Sequence, residues 1–200
     1  MTSQSFQNSW KQFIAKRWLD NIQAVINGDY DEEKLATHAN LMGLSTLDLK
    51  YKIQEGDIPA AYILAKDPNR QNLQEEFQKN YINTKVGFDT LTILPKQNNY
   101  RFSNNGTQTK SADATVSFGD KEFLATMKLI SGSGGAQDNQ RADAKLFLTI
   151  GSKQADVPVI AIIDDTHPKA SEYYLNGVND RNKAYVFTSD SLIEYIKYNK

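Results

Sequence analysis

The chain contains no cysteine. Disulfides and zinc–thiolate centres are therefore excluded, and the redox compartment is left open. Histidine is scarce: His38 and His167 are far apart and stand in no metal-ligand or H-N-H pattern. A histidine-dependent nuclease or a Ser-His-Asp hydrolase thus has little support. No apolar run approaches the roughly 18 residues that would mark a membrane-spanning helix. The opening MTSQSFQNSWKQF has no apolar core of the signal-peptide type, so a cytoplasmic protein with no membrane partner is expected. Charge of one sign is also missing, with 23 basic against 24 acidic residues and a net charge of −1. A nucleic-acid-binding role would need its basic residues concentrated locally.

The chain of 200 residues is long enough for one domain, or for a helical segment packed on one α/β core. The first part is helical in pattern. From Ser5 to Ile26, Phe6, Trp10, Phe13, Ile14, Trp18, Ile22, Val25 and Ile26 recur at helical spacing, which predicts a core-facing stripe ended by Asn27-Gly28. A second helix is expected over 31–41. Ser45-Thr46-Leu47-Asp48 reads as the capping-box start of a third, and Asp57-Ile58-Pro59 as the start of a fourth. Asp67-Pro68-Asn69 breaks that helix, and 72–82 forms another that carries Glu75 and Glu76.

The second part mixes strands and helices. Thr90 to Leu94 and Tyr100 to Phe102 are short apolar or aromatic segments, and a loop is expected over 103–107. Ser111 to Phe118 reads as a strand, Gly119-Asp120 as a two-residue turn, and Glu122 to Ile130 as the returning strand. That turn pairs Phe118 with Lys121, Ser117 with Glu122 and Asp113 with Thr126. Lys128 then shares the face of Asp113, because strand side chains alternate with period two. A carboxylate beside a lysine suits metal-assisted phosphodiester hydrolysis. The acid holds a hard cation, and the ammonium positions water and meets developing negative charge. The bland alternative is an ordinary amphipathic β-pair. A glycine-rich turn at Ser131–Gly135 follows but lacks the G-x-x-x-x-G-K-[ST] spacing of an ATP loop. A polar helix is then expected from Gln137 to about Leu148. Val157 to Ile163 is the strongest buried strand, with Asp164-Asp165 read as loop entry or as a ligand-facing strand end. A helix near 171–175, a strand at 184–187 and a helix at 192–198 capped by Ser189 or Asp190 complete the chain.

Asp113 followed by Thr126-Met127-Lys128 resembles the motif of the PD-(D/E)xK nuclease superfamily, and more narrowly its type II restriction endonucleases. In that family an Asp opens one core strand and (D/E)-x-K lies on the next. Ala112 stands where the motif has Pro, and Thr126 replaces the second acid. The resemblance implies an α/β, restriction-endonuclease-like core over residues 69–200 with a central mixed sheet flanked by helices, preceded by a helical region over 1–68. It implies a homodimer that cuts double-stranded DNA at specific sites with Mg²⁺. Asp113 and the carbonyl of Met127 would hold the metal, Lys128 would orient the attacking water, and Thr126 would be a weak ligand or water contact. Glu76 is preferred over Glu122 to complete the site. Gln137, Asp138, Gln140 and Arg141 are candidate DNA contacts.

LATHANLMGLSTLDLKYKI (residues 35–53) also resembles a helix-turn-helix, which would make Thr46 and Lys50 candidate DNA contacts, although Lys52 stands at a usually apolar position. A plain helical hairpin is the alternative. Together with the missing acid at 126, this segment keeps a second possibility open, a DNA-binding protein without catalysis.

Overall fold

A computed structural model describes residues 3–68, 73–104, 106, 108–130 and 135–199. The chain forms two compact units, one of residues 8–73 and one of residues 1–7 with 74–200. The partition expected after residue 68 thus falls at Leu73, and the first seven residues join the later unit.

The unit of residues 8–73 is all-helical. It holds most of α1 (Gln4–Ile26) together with α2 (Glu32–Leu41), α3 (Thr46–Gln54) and α4 (Ile58–Leu64). Its helix starts are set by side-chain caps. Asp31 accepts from the Lys34 amide, Ser45 and Asp48 form the expected capping box, and Asp57 accepts from the Ala60 amide. Leu35, Ala39, Leu49, Ile53 and Ala61 form its buried centre. The stripe on α1 is only partly a core stripe. Ile22 and Val25 are buried here, whereas Trp10, Phe13, Ile14 and Trp18 stay half-buried.

The other unit is α/β. Its sheet has five strands: β1 (Leu91–Ile93), β4 (Ala114–Phe118), β5 (Lys121–Ile130), β6 (Val159–Asp165) and β7 (Ala184–Phe187), in the order β1-β4-β5-β6-β7. β4 runs antiparallel to both of its neighbours, β1 and β5, and β5, β6 and β7 are parallel. The mixed character follows from the connections. Gly119-Asp120 is short enough for a hairpin, and Gly119 takes φ 57°, which glycine adopts without strain. Between β5 and β6 the chain runs through α6 (Gly135–Gln154), a crossover long enough to return parallel.

Helices cover both faces of this sheet. α6 and α7 (Ser171–Leu175) pack Ala144, Phe147, Leu148 and Tyr174 against Ala161 and Ile163. On the other face lie α5 (Gln74–Val86) and α8 (Ser189–Tyr198). β6 is buried along its whole length, as a strand covered on both faces must be. At Gly151 a Cβ would stand 3.0 Å from Val159 Cγ1 and 3.3 Å from the Phe102 ring, so glycine permits this close approach of α6 to its neighbours.

Several boundaries differ from expectation. The segment read as one strand over 111–118 is broken at Ala112-Asp113. Lys110 and Ser111 belong to β3 (Gln108–Ser111), which pairs with β2 (Arg101–Asn104) as a separate hairpin. The expected loop over 103–107 is thus partly strand, and Asn105 and Thr107 lie outside the described residues. α5 runs on to Val86, and α6 runs on to Gln154 because Ile150 and Gly151 continue its buried face. Thr188, paired reciprocally with Ser191, is the cap of α8 in place of Ser189 or Asp190. Asn72 and the turn residues Ser131 to Gly134 lie outside the described residues.

Candidate hydrolytic site

Asp113 sits at the break between β3 and β4. Its amide donates to the Ala125 carbonyl at 2.8 Å, and its carbonyl accepts from the Leu94 amide at 2.9 Å. The β4–β5 ladder has the register predicted from the turn, with Phe118 opposite Lys121 and Ser117 opposite Glu122. That register brings the motif together. Asp113 Oδ2 accepts from Thr126 Oγ1 at 2.8 Å, from the Met127 amide at 2.9 Å and from Lys128 Nζ at 3.3 Å. The Asp113 and Lys128 side chains are only 22% and 21% exposed. Thr126 and the Met127 side chain are buried. One carboxylate oxygen therefore gathers a hydroxyl, a peptide N–H and an ammonium in a largely buried setting.

The helical acid that faces this cluster is Glu75, in the first turn of α5. Burial raises its pKa above the ordinary carboxylate value. The negative charge of Asp113 raises it further, while Lys128 and Lys96 oppose the shift. Glu76, the expected partner, is exposed and lies on a different face of the helix. The phase of α5 explains the difference. Phe77, Gln78, Tyr81 and Ile82 are buried, and Glu75 precedes Gln78 by one turn on the same face. Counting back from the apolar residues would have favoured Glu75. Glu122 is exposed, roughly 13 Å along β5 from Thr126 at ~3.3 Å per residue.

Two buried acids end β6. Asp164 accepts from the Ser189 amide and hydroxyl and from Gln78 Nε2, with no cation among its described hydrogen-bond partners. Burial raises its pKa to about 6 against the opposing pull of Ser189 and Gln78. Asp165 receives Arg141 in a two-point contact, Nε to Oδ2 at 2.8 Å and Nη2 to Oδ1 at 3.0 Å, and also the His167 amide at 2.8 Å. Both were read as loop entry or a ligand-facing strand end. They are instead partnered within a buried strand.

Of the candidate DNA contacts, Arg141 departs from expectation. It is buried and tied to Asp165 and Asp138, so its guanidinium joins α6 to β6. Asp138 is exposed and accepts from it. Gln137 and Gln140 are half-buried near the start of α6, and Gln140 Oε1 has no partner among the described residues. In the helical unit, Thr46 opens α3, and Lys50 pairs with Glu32 at 2.7 Å while lying over the Tyr30 ring.

Asp113 and Glu75, which are electrostatically coupled, offer hard oxygen donors. The Met127 carbonyl points to the same side of β5 as its amide, toward Asp113, as extended backbone requires. One or two carboxylates with waters suit Mg²⁺, which keeps much of its hydration shell. Among the described residues no three His, Cys, Asp or Glu side chains gather into an all-protein cage. No helix among the described residues is long and apolar enough to cross a membrane. Comparison with protein-family models, curated proteins and solved structures gives no match.

Proposed function

We propose that this protein is a Mg²⁺-dependent DNA endonuclease of the PD-(D/E)xK kind, hydrolysing phosphodiester bonds at specific sites as a homodimer in the cytoplasm. The observation that carries this reading is the contact of Asp113 with both the Met127 amide and the Lys128 ammonium, at a strand junction faced by a helical glutamate.

The roles follow from the chemistry of each group. Asp113, Glu75 and the Met127 carbonyl would hold the ion. When bound, Mg²⁺ supplies charge neutralisation at the phosphoryl oxygens and lowers the pKa of a coordinated water. Lys128 donates a hydrogen bond toward the attacking water and offsets the charge that develops at phosphorus. Its ion pair with Asp113 keeps the ammonium beside the carboxylate before substrate enters. Thr126 contributes no charge; its hydroxyl fixes the Asp113 rotamer. Gln137 and Gln140 stand at the start of α6 as candidate contacts to base edges or phosphates.

The neutral Thr126 favours one competing reading, a DNA-binding protein that does not cleave. Plasmid and phage DNA incubated with Mg²⁺ or with EDTA separates the two. Discrete Mg²⁺-dependent fragments support the nuclease. Intact DNA with a gel shift supports the binder, and intact DNA with no shift refutes both.

A further inference from the structure

Gln78 is fully buried on α5, one turn after Glu75. Its amide nitrogen donates to Asp164 Oδ2 at 2.8 Å and to the Lys128 carbonyl at 3.3 Å. Both protons of that nitrogen are thus committed to acceptors on adjacent strands. The cost shows at the other end of the amide, where Oε1 is buried without a partner among the described residues. Asp164 is held in turn by the amide and hydroxyl of Ser189 at the start of α8. One short network therefore joins the helix of Glu75, the strand of Lys128, the strand beside it and the following helix.

An apolar side chain of similar size would fill this space without orphaning an oxygen, but it would take one donor from the buried Asp164 carboxylate. Directional contacts give what packing alone does not: they fix α5 both along and around its axis relative to β5. The residue whose placement this governs is Glu75, which shares the face of Gln78.

We infer that Gln78, anchored by Asp164, is a positioning residue that sets Glu75 against the Asp113–Lys128 pair, which presupposes the hydrolytic reading above. Gln78 acts through Glu75 and does not itself touch metal or DNA. Outer-shell partners of this type typically change metal affinity by about 10–100-fold when removed.

The test is a double-mutant cycle on Mn²⁺ binding, followed by electron paramagnetic resonance on the full chain, with DNA cleavage run in parallel. Gln78→Leu should weaken Mn²⁺ binding about tenfold, and Glu75→Gln by at least as much. The double variant should bind no more weakly than Glu75→Gln alone, because the first substitution acts only through the second residue. Gln78→Met serves as the second variant if Gln78→Leu does not fold. A lowered melting temperature with unchanged Mn²⁺ affinity, or effects that multiply in the double variant, would overturn the positioning role. Failure of the wild type to bind Mn²⁺ would overturn the hydrolytic reading and this inference with it, whereas wild-type binding that is insensitive to Gln78 refutes the inference alone.

Discussion

Replacing Arg141 by Met probes how α6 is fixed to the sheet. The guanidinium makes a two-point contact with Asp165, reaches Asp138 at 2.8 Å, and is almost wholly buried. Met keeps much of the side-chain volume but removes the charge. Asp165 would then remain buried after losing both guanidinium contacts, with the His167 amide still donating to it. Breaking one side of a buried ion pair in this way costs about 3–5 kcal/mol, because the surviving charge has lost its compensation. For a chain of this size ~1 kcal/mol corresponds to roughly 2–4 °C in melting temperature. A fall of about 6–20 °C is therefore expected for Arg141→Met in a thermal melt followed by circular dichroism. Asp165→Leu alone should also destabilise, by less, because the guanidinium keeps its contact with Asp138. The double variant should recover most of the loss, since an apolar pair of matching volume often replaces a buried ion pair at little cost. Single variants that melt within about 2 °C of wild type, roughly 1 kcal/mol or less, would refute the reasoning. A double variant as unstable as the sum of the singles would refute it too.

Two further predictions concern the same unit. Asp164 has a folded pKa near 6, above its ordinary value because of burial. Its contribution to stability is fully present below the unfolded pKa and is lost as pH rises through the folded one. Between about pH 4 and 6 the wild type should lose up to ~3 kcal/mol relative to Asp164→Asn, in urea titrations at stepped pH; parallel pH profiles would contradict this. Gly151→Leu should destabilise by about 1–3 kcal/mol although leucine favours helix, because its Cβ meets Val159 and Phe102. A rise in melting temperature would show that α6 can move away.

Much of this fold is written in local signals. The Gly119-Asp120 turn fixes the hairpin register, and that register alone brings Thr126 and Lys128 to Asp113. Ser45-Asp48, Asp57-Pro59 and the apolar run of β6 are likewise local. What escaped the reading depends on pairing between distant segments. The β2–β3 hairpin is set by partners across a polar loop, and nothing in QTKS marks it as strand. Asp164 and Asp165 look like loop residues until Gln78, Ser189 and Arg141 arrive from other helices to satisfy them. The site itself was half legible. Period two along the strands placed Asp113 and Lys128 together, but the choice between Glu75 and Glu76 turned on the helical phase of α5. Arg141 misled because an arginine at a helix start reads equally as a phosphate contact and as a buried counter-ion. The choice depends on what stands at the end of β6.

The most direct test of the hydrolytic site is cleavage of supercoiled plasmid in Mg²⁺ by wild type, Asp113→Ala, Lys128→Ala, Glu75→Gln and Glu76→Gln. Wild type and Glu76→Gln should cut, and removal of either motif residue should abolish cutting. Glu75→Gln should slow it at least tenfold, as loss of a residue proposed to hold the ion implies. Cleavage that survives Asp113→Ala, or that depends on Glu76 and not on Glu75, would contradict the assignment.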